Sequence, residues 1–381
     1  MAQLDSDGLS SYFRYPEATR VKTGSVPSVR PRRGAASNPA CRFDRILCDA
    51  DPEVVQPDPD EPAARPALAT RFYRDPARRA LSFNQSPDIP FDASINPYRG
   101  CEHGCIYCYA RPTHEYLGFS AGLDFETRIL VKQDLPQLLR HELGTRSWKP
   151  QVVAIGSVTD AYQPIERRLR ITRRCLEVLL DFRNPVAIVT KSALVTRDID
   201  LFREFARFDA IRIYLSITTL DPALHRAMES RAAVPSRRLA AIGELANAGI
   251  PVGVMIAPIV PGLNDHEVPS IVEAAAASGA KTARHMMLRL PHGLAPLFEE
   301  WLARHHPHRK SKVLQRIRDM RNGKLNDSRF HDRMHAGGFF ADQTHALFDL
   351  ACRRAGLVDA VPELSTKSFR SPGGEQLALF A

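Results

Sequence analysis

From about Asp92 onward the sequence predicts an α/β fold in which six parallel strands alternate with helices, and three observations carry that reading. Short β-branched runs alternate with longer amphipathic ones, the strand runs number six, and polar residues gather directly after them. The elements run in order: strand Asp92 to Tyr98, helix Gln133 to Leu143, strand Gln151 to Thr159, helix Glu166 to Asp181, strand Val186 to Lys191 and helix Asp198 to Phe208. Then come strand Ile211 to Thr218, helix Ser236 to Ala248, strand Val252 to Val260, helix Glu267 to Ser278 and strand Arg284 to Leu290. Asp198 and Asp265 stand where N-caps are expected. Six such units fit an open or partial barrel, whose ligands sit at the carboxyl ends of the strands. Ser157-Val158-Thr159-Asp160, Thr190-Lys191-Ser192, Ser216-Ile217-Thr218-Thr219 and Pro258 to Asp265 all fall at such ends.

Around this core the sequence divides into four parts. Residues 1–70 are proline-rich with little apolar periodicity and are expected to lack a packed core. Residues 71–292 hold the barrel, 293–360 a helical basic region, and 361–381 a flexible tail. The net charge of +9 is unevenly spread: from Trp301 to His335 ten Lys or Arg stand against three Asp. Such a cluster suits a polyphosphate partner, and a solvated helical face explains it equally well. His305, His306 and His308 are interrupted by Pro307 and read as solvated or phosphate-facing.

No apolar run approaches the ~18 residues of a membrane span. The polar, acidic start of the chain shows no signal peptide, and thiols that must stay reduced favour the cytoplasm.

Three of the seven cysteines, Cys101, Cys105 and Cys108, fall within eight residues, and Gly104 relaxes the loop between them. Thiolates at x3 and x2 spacing can turn toward one metal site, and three of them on a four-iron cluster would leave one iron open. Structural zinc normally needs four ligands, and no second Cys-x2-Cys is present, although His103 or His114 could supply the fourth. A disulfide framework suits small secreted domains better than a chain of 381 residues with an odd cysteine count. Cys41 and Cys48 read as thiols outside any ligand set.

The pattern Cys-x3-Cys-x-Tyr-Cys resembles the radical S-adenosylmethionine superfamily. The runs Asn96-Pro97-Tyr98-Arg99-Gly100, Thr159-Asp160-Ala161-Tyr162-Gln163-Pro164, Thr190-Lys191-Ser192 and Pro261-Gly262-Leu263-Asn264-Asp265 resemble its spore photoproduct lyase-like members, also called DNA repair photolyase-like. The resemblance spans about Ser82 to Leu357 and looks closest to uncharacterised bacterial proteins. It implies a (β/α)6 partial barrel of the radical S-adenosylmethionine type. It also implies a 4Fe-4S cluster on the three cysteines and S-adenosylmethionine bound at its open iron, then cleaved to a 5′-deoxyadenosyl radical. By the same resemblance Tyr107 lies beside the cofactor, Thr159 and Ser216 match its hydroxyl ligands, and Lys191 matches the lysine that pairs with its carboxylate. Tyr109 matches a tyrosine that relays a hydrogen atom in spore photoproduct lyase. Glu229 and Arg231 form a polar pair able to contact the cofactor. The thiol that donates hydrogen in spore photoproduct lyase aligns here with Ser157, whose O–H bond is too strong for that step, which argues against the same thymine-photoproduct repair.

In the tail, Gln376, Leu377, Leu379 and Phe380 resemble the peptide by which bacterial proteins bind the replication sliding clamp. Taken together, the reading is a cytoplasmic radical enzyme acting on DNA or another nucleic acid in a lyase- or repair-like reaction, fed electrons by a flavodoxin or ferredoxin. Modification of RNA or protein by the same radical chemistry, or a non-catalytic zinc-bearing nucleic-acid module, are the alternatives.

Overall fold

A computed structural model describes residues 33–43, 69–334, 336–358 and 363–372. The tail peptide Gln376 to Phe380, Cys48 and the basic stretch near the amino terminus lie outside these residues.

Among the described residues ten strands form two sheets: β1 (Arg71–Arg74), β2 (Ser82–Phe83), β3 (Ala93–Ile95), β4 (Tyr98–Arg99), β5 (Arg128–Val131), β6 (Val153–Ile155), β7 (Val186–Thr190), β8 (Ile211–Ser216), β9 (Val252–Ile259) and β10 (Thr282–Met287). The main sheet has the order β10-β9-β8-β7-β6-β3-β2, so all six expected strands are present and stand in chain order. The pairs from β3 through β10 are all parallel. Only the short β2 runs antiparallel, beside β3. Parallel neighbours need crossover helices, and these cover the sheet, which is why its strands read as nearly continuous apolar runs. Ile95, Ile155, Ile188, Ile213 and Val252 align in register across five strands. All five are buried, each stabilising the sheet by about 1.5–3 kcal/mol of burial. The second sheet, β1-β5-β4, packs beside the first strand and was not visible as a pattern in the sequence.

The crossover helices are α1 (Leu123–Thr127), α2 (Leu135–Leu143), α3 (Glu166–Leu169), α4 (Ile171–Asp181), α5 (Ile199–Ala206), α6 (Pro222–Met228), α7 (Pro235–Asn247) and α8 (Val268–Ala277). Beyond the sheet come α9 (Leu294–His305), α10 (Pro307–Asp319) and α11 (Phe339–Ala355). The single helix expected over Glu166 to Asp181 is broken at Arg170, which adopts a left-handed φ of 52°. The break lets Glu166 turn its carboxylate back to accept the Thr172 amide at 3.1 Å, capping α4 from within the chain.

The expected caps are used differently. Asp198 makes no side-chain cap; its carboxylate is drawn into pairs with Arg173 (3.0 Å) and Arg197 (2.8 Å) and a bond from the Tyr162 hydroxyl (3.0 Å). Asp265 accepts the Gly262 amide at 2.8 Å instead of capping α8, whose N-cap is Glu267.

Within the stretch expected to lack packed structure, residues 33–43 form a strap bound across the cysteine loop. Backbone amides of Gly34 and Ala35 donate to Glu126 at 3.1 and 2.8 Å, and Asn38 exchanges two 3.0 Å bonds with Asp124. Periodicity could not reveal this segment, because its partners are carboxylates about ninety residues away rather than an apolar face.

Candidate active site

The turn after β4 carries Cys101, Cys105 and Cys108 at the carboxyl rim of the sheet. Cys101 and Cys105 are buried, Cys108 is partly so, and none of the three is in a disulfide. Burial is the main force raising their thiol pKa values, pushing Cys105 up to about 12. Cys101 also feels Asp160, Cys105 and Cys108 in the same direction. These thiols stay protonated unless a cationic group arrives to hold them as thiolates. Among the described residues no three His, Cys, Asp or Glu side chains converge as they would on a single ion. A four-iron cluster makes no such demand, since each thiolate binds a different iron.

The loop's shape is dictated by Arg111, which sequence reading passed over. Wholly buried, it donates from Nε to the Cys105 carbonyl (2.9 Å), from Nη2 to the Gly104 carbonyl (3.0 Å) and from Nη1 to the carbonyls of Ala121 (3.1 Å) and Gly122 (2.9 Å). The same Nη2 pairs with the buried Glu126 at 2.6 Å. A planar guanidinium can satisfy this many carbonyls at once; an ammonium cannot. Gly104 sits at φ 64°, and a Cβ there would meet Glu126 Oε2 at 2.5 Å. On the other flank, Thr159 donates to the Gly100 carbonyl at 2.6 Å and Gln163 accepts the Glu102 amide at 2.9 Å. Thr159, expected to face the cofactor, thus spends its hydrogen on the loop.

The two histidines considered as a fourth metal ligand face elsewhere. His103 Nδ1 approaches Asp160 Oδ2 at 3.3 Å, and Asp160 also accepts from the Thr190 hydroxyl (2.7 Å) and the Lys191 amide (2.8 Å). Burial opposes the Asp160 charge, yet His103 and these donors hold its carboxyl well below the usual range. His114 Nε2 bonds the Arg128 carbonyl at 2.9 Å, and its ring packs against Phe119 and Phe125.

A second polar group lies at the ends of β7, β8 and β9. Lys191 Nζ donates to Ser216 Oγ at 2.6 Å and to the Ala257 carbonyl at 3.3 Å, and it stands 3.9 Å from Glu229 Oε1 and 5.6 Å from the centre of the Tyr107 ring. The Tyr107 hydroxyl donates to Glu229 and lies 3.1 Å from Thr218 Oγ1. Glu229 is closed off behind by the buried Arg238, which also donates to the Ser216 carbonyl at 2.7 Å. Burial raises the Glu229 carboxyl, but Arg238 and Lys191 outweigh it and bring it down to about 2. Tyr107, Lys191 and Ser216, singled out from the sequence, therefore meet in one cluster, with Glu229, Thr218 and Arg238 completing it. Arg231 turns away to pair with Glu102 at 3.3 Å.

Tyr109 is different. Half exposed at 51%, it donates to the Ser157 carbonyl at 2.5 Å. The residue after the third cysteine is thereby set against the position that aligned with a hydrogen-donating thiol.

In the basic region, Arg304, Arg316, Arg329 and Arg333 pair with Glu300, Asp265, Asp327 and Asp88, and Arg321 is buried against the carbonyls of Leu288, Asp332 and Arg333. Arg309, Lys310, Lys312, Arg318 and Lys324 have no carboxylate partner among the described residues, and the first four share α10. His305, which stays exposed, and His306, which is half-buried, lay their rings beside Trp301.

Six parallel strands in chain order, a three-thiol loop at their carboxyl rim and a lysine-hydroxyl cluster beside it define the class: a partial-barrel enzyme that starts its chemistry at an iron–sulfur centre. A family model of the radical SAM superfamily matches residues 95–275. An uncharacterized protein of Mycobacterium bovis is 39% identical over 234 residues, 61% of this chain and 68% of the relative. Another, from Methanocaldococcus jannaschii, is 34% identical over 173 residues, 45% of this chain and 62% of the relative. Among solved structures, a spore photoproduct lyase mutant with bound AdoMet and dinucleoside spore photoproduct aligns with a TM-score of 0.51 at 17% identity, covering 74% of this chain and 78% of that one, which is a likeness of fold. The chain belongs to the radical SAM superfamily. Its cofactors are accordingly a 4Fe-4S cluster and S-adenosylmethionine, and the zinc reading of the cysteines falls away. No helix among the described residues is long and apolar enough to cross a membrane.

Proposed function

We propose that this radical SAM enzyme acts on a nucleic-acid substrate by hydrogen-atom abstraction, in a lyase- or repair-like reaction that differs from thymine-photoproduct repair in its terminal hydrogen donor. The single observation that carries the reading is the placement of Tyr109: it directly follows the third cysteine, is half exposed and rests on Ser157.

In this reading Cys101, Cys105 and Cys108 would hold the cluster, their loop carbonyls kept in place by Arg111 and by the Thr159 hydroxyl. When bound, the cluster and S-adenosylmethionine together supply one-electron cleavage of the latter to an organic radical. Lys191 offers an ammonium to the carboxylate of S-adenosylmethionine, with Ser216 beside it, and Tyr107 packs alongside. Glu229 holds Lys191 and Tyr107 in position from behind. Tyr109 keeps a transferable hydrogen on its phenol oxygen at the open side. The unpaired cations of α10 supply contacts to a phosphate backbone.

The thiols require a reducing compartment, which favours the cytoplasm, with a flavodoxin or ferredoxin as electron donor. The peptide Gln376, Leu377, Leu379, Phe380 would bring the enzyme to a replication sliding clamp. Removing residues 376–381 is expected to abolish binding to purified clamp and leave the cluster absorbance unchanged.

The test is anaerobic reconstitution, reduction, and quantification of 5′-deoxyadenosine with DNA, RNA or peptide pools. Stimulation by DNA or RNA alone supports the reading, and stimulation by peptides alone overturns it.

A further inference from the structure

The open side of the rim carries a cation that the cofactor cluster does not use. Arg289 follows β10, the sixth parallel strand, and so comes out at the same rim as Tyr109. The guanidinium lies near enough to draw the Tyr109 phenol pKa downward, against the burial that raises it. The guanidinium has no carboxylate in contact among the described residues. Among the described residues its Nε is enclosed without a hydrogen-bond partner, and Nη1 meets the sulfur of Met334, a weak acceptor.

Its neighbours sharpen the imbalance. Arg333 is satisfied by Asp88 at 2.8 Å, and the buried Arg321 is capped by the carbonyls of Leu288, Asp332 and Arg333. Three guanidiniums thus gather at one place, and Asp88 among them is already bound to Arg333. Burial first and Arg333 second lower the Arg289 pKa, so its charge is held at a cost. Buried charges in folded proteins are paired, and a half-buried arginine with no carboxylate in contact is fitted for an incoming oxyanion, above all phosphate.

We infer that Arg289 is a substrate-binding residue that grips a phosphate of the substrate beside Tyr109. The inference rests on the proposed nucleic-acid reading and narrows it. The enzyme takes a substrate whose reacting carbon lies one short reach from a phosphate, and Arg289 sets which carbon faces the phenol.

The experiment compares binding of d(TpT), its uncharged methylphosphonate analogue and thymidine 5′-monophosphate to the full-length protein by calorimetry, in wild type, Arg289→Gln and Arg289→Lys. Loss of a charged hydrogen-bonded contact predicts that Arg289→Gln weakens binding of the phosphate-bearing probes about tenfold or more. Arg289→Lys should recover part of that loss. Binding of the methylphosphonate should be the same in all three proteins, and their melting temperatures should agree. If only the monophosphate shows the dependence, the phosphate grip stands and the nucleic-acid reading fails. Equal affinity of wild type and Arg289→Gln for both phosphate probes overturns the inference, as does an equal loss for the methylphosphonate.

Discussion

The two sides of the rim are built on opposite plans. On the cofactor side, Lys191, Glu229, Arg238 and Asp160 are buried or nearly so, and each charge meets an opposite charge or a hydrogen-bond partner. On the open side, Tyr109 is half exposed and Arg289 contacts no carboxylate among the described residues. The contrast teaches where each kind of chemistry is stored. Groups that hold a fixed cofactor gain from being preorganised in a dry site. Groups that meet a substrate gain from staying reachable until it arrives.

That contrast can be broken hardest at Arg111. Arg111→Leu leaves Glu126 buried without its cation and the carbonyls of Gly104 and Cys105 without donors. A loss of about 3–5 kcal/mol in chemical denaturation is expected. Glu229→Gln strikes the cofactor cluster itself and should cost about 1.5–3 kcal/mol. Its pH dependence is a sharper signature. Because the folded carboxyl titrates near 2, below the unfolded value of about 4.3, its stabilisation is complete above the unfolded value and drains away as pH falls toward 2. Melting curves from pH 6 to pH 3 should therefore fall more steeply for wild type than for Glu229→Gln.

Gly104→Ala forces a side chain into a left-handed backbone against Glu126 and is expected to cost about 1–3 kcal/mol, with weakened cluster retention after reconstitution. On the open side the stability effects shrink. Tyr109→Phe removes one hydrogen bond at a half-exposed site and should cost less than about 1.5 kcal/mol. It should nonetheless suppress product formation while 5′-deoxyadenosine is still released. Smallest of all, Lys312→Gln should leave the melting temperature unmoved and flatten the dependence of log affinity for DNA on log salt by about one unit.

What the sequence revealed divides along similar lines. β-branched and apolar runs placed the main strands, because the residues that a strand turns to the core are apolar and buried. The cysteine spacing, Tyr107, Lys191 and Ser216 were legible because each sits in a compact run at a strand end. Arg111, Gln163 and Arg238 were not, since their roles depend on partners reached only after folding. Arg238 lies on α7, twenty-two residues from the Ser216 carbonyl that it supports. Thr159 lies at the rim, where its hydroxyl donates to the Gly100 carbonyl. The strap escaped because hydrogen bonds to Glu126 and Asp124 leave no periodic trace.

That strap also has a meaning in time. Residues 33–43 leave the ribosome early, but the carboxylate that anchors them belongs to Glu126, ninety-one residues beyond Ala35. During synthesis the three cysteines are therefore all made before their cover can close. A Cβ on Gly34 would fall 1.7 Å from the Gly104 carbonyl, so the closed strap leaves no slack over the loop. The latch of the strap is thus made only after the whole of the loop that it covers.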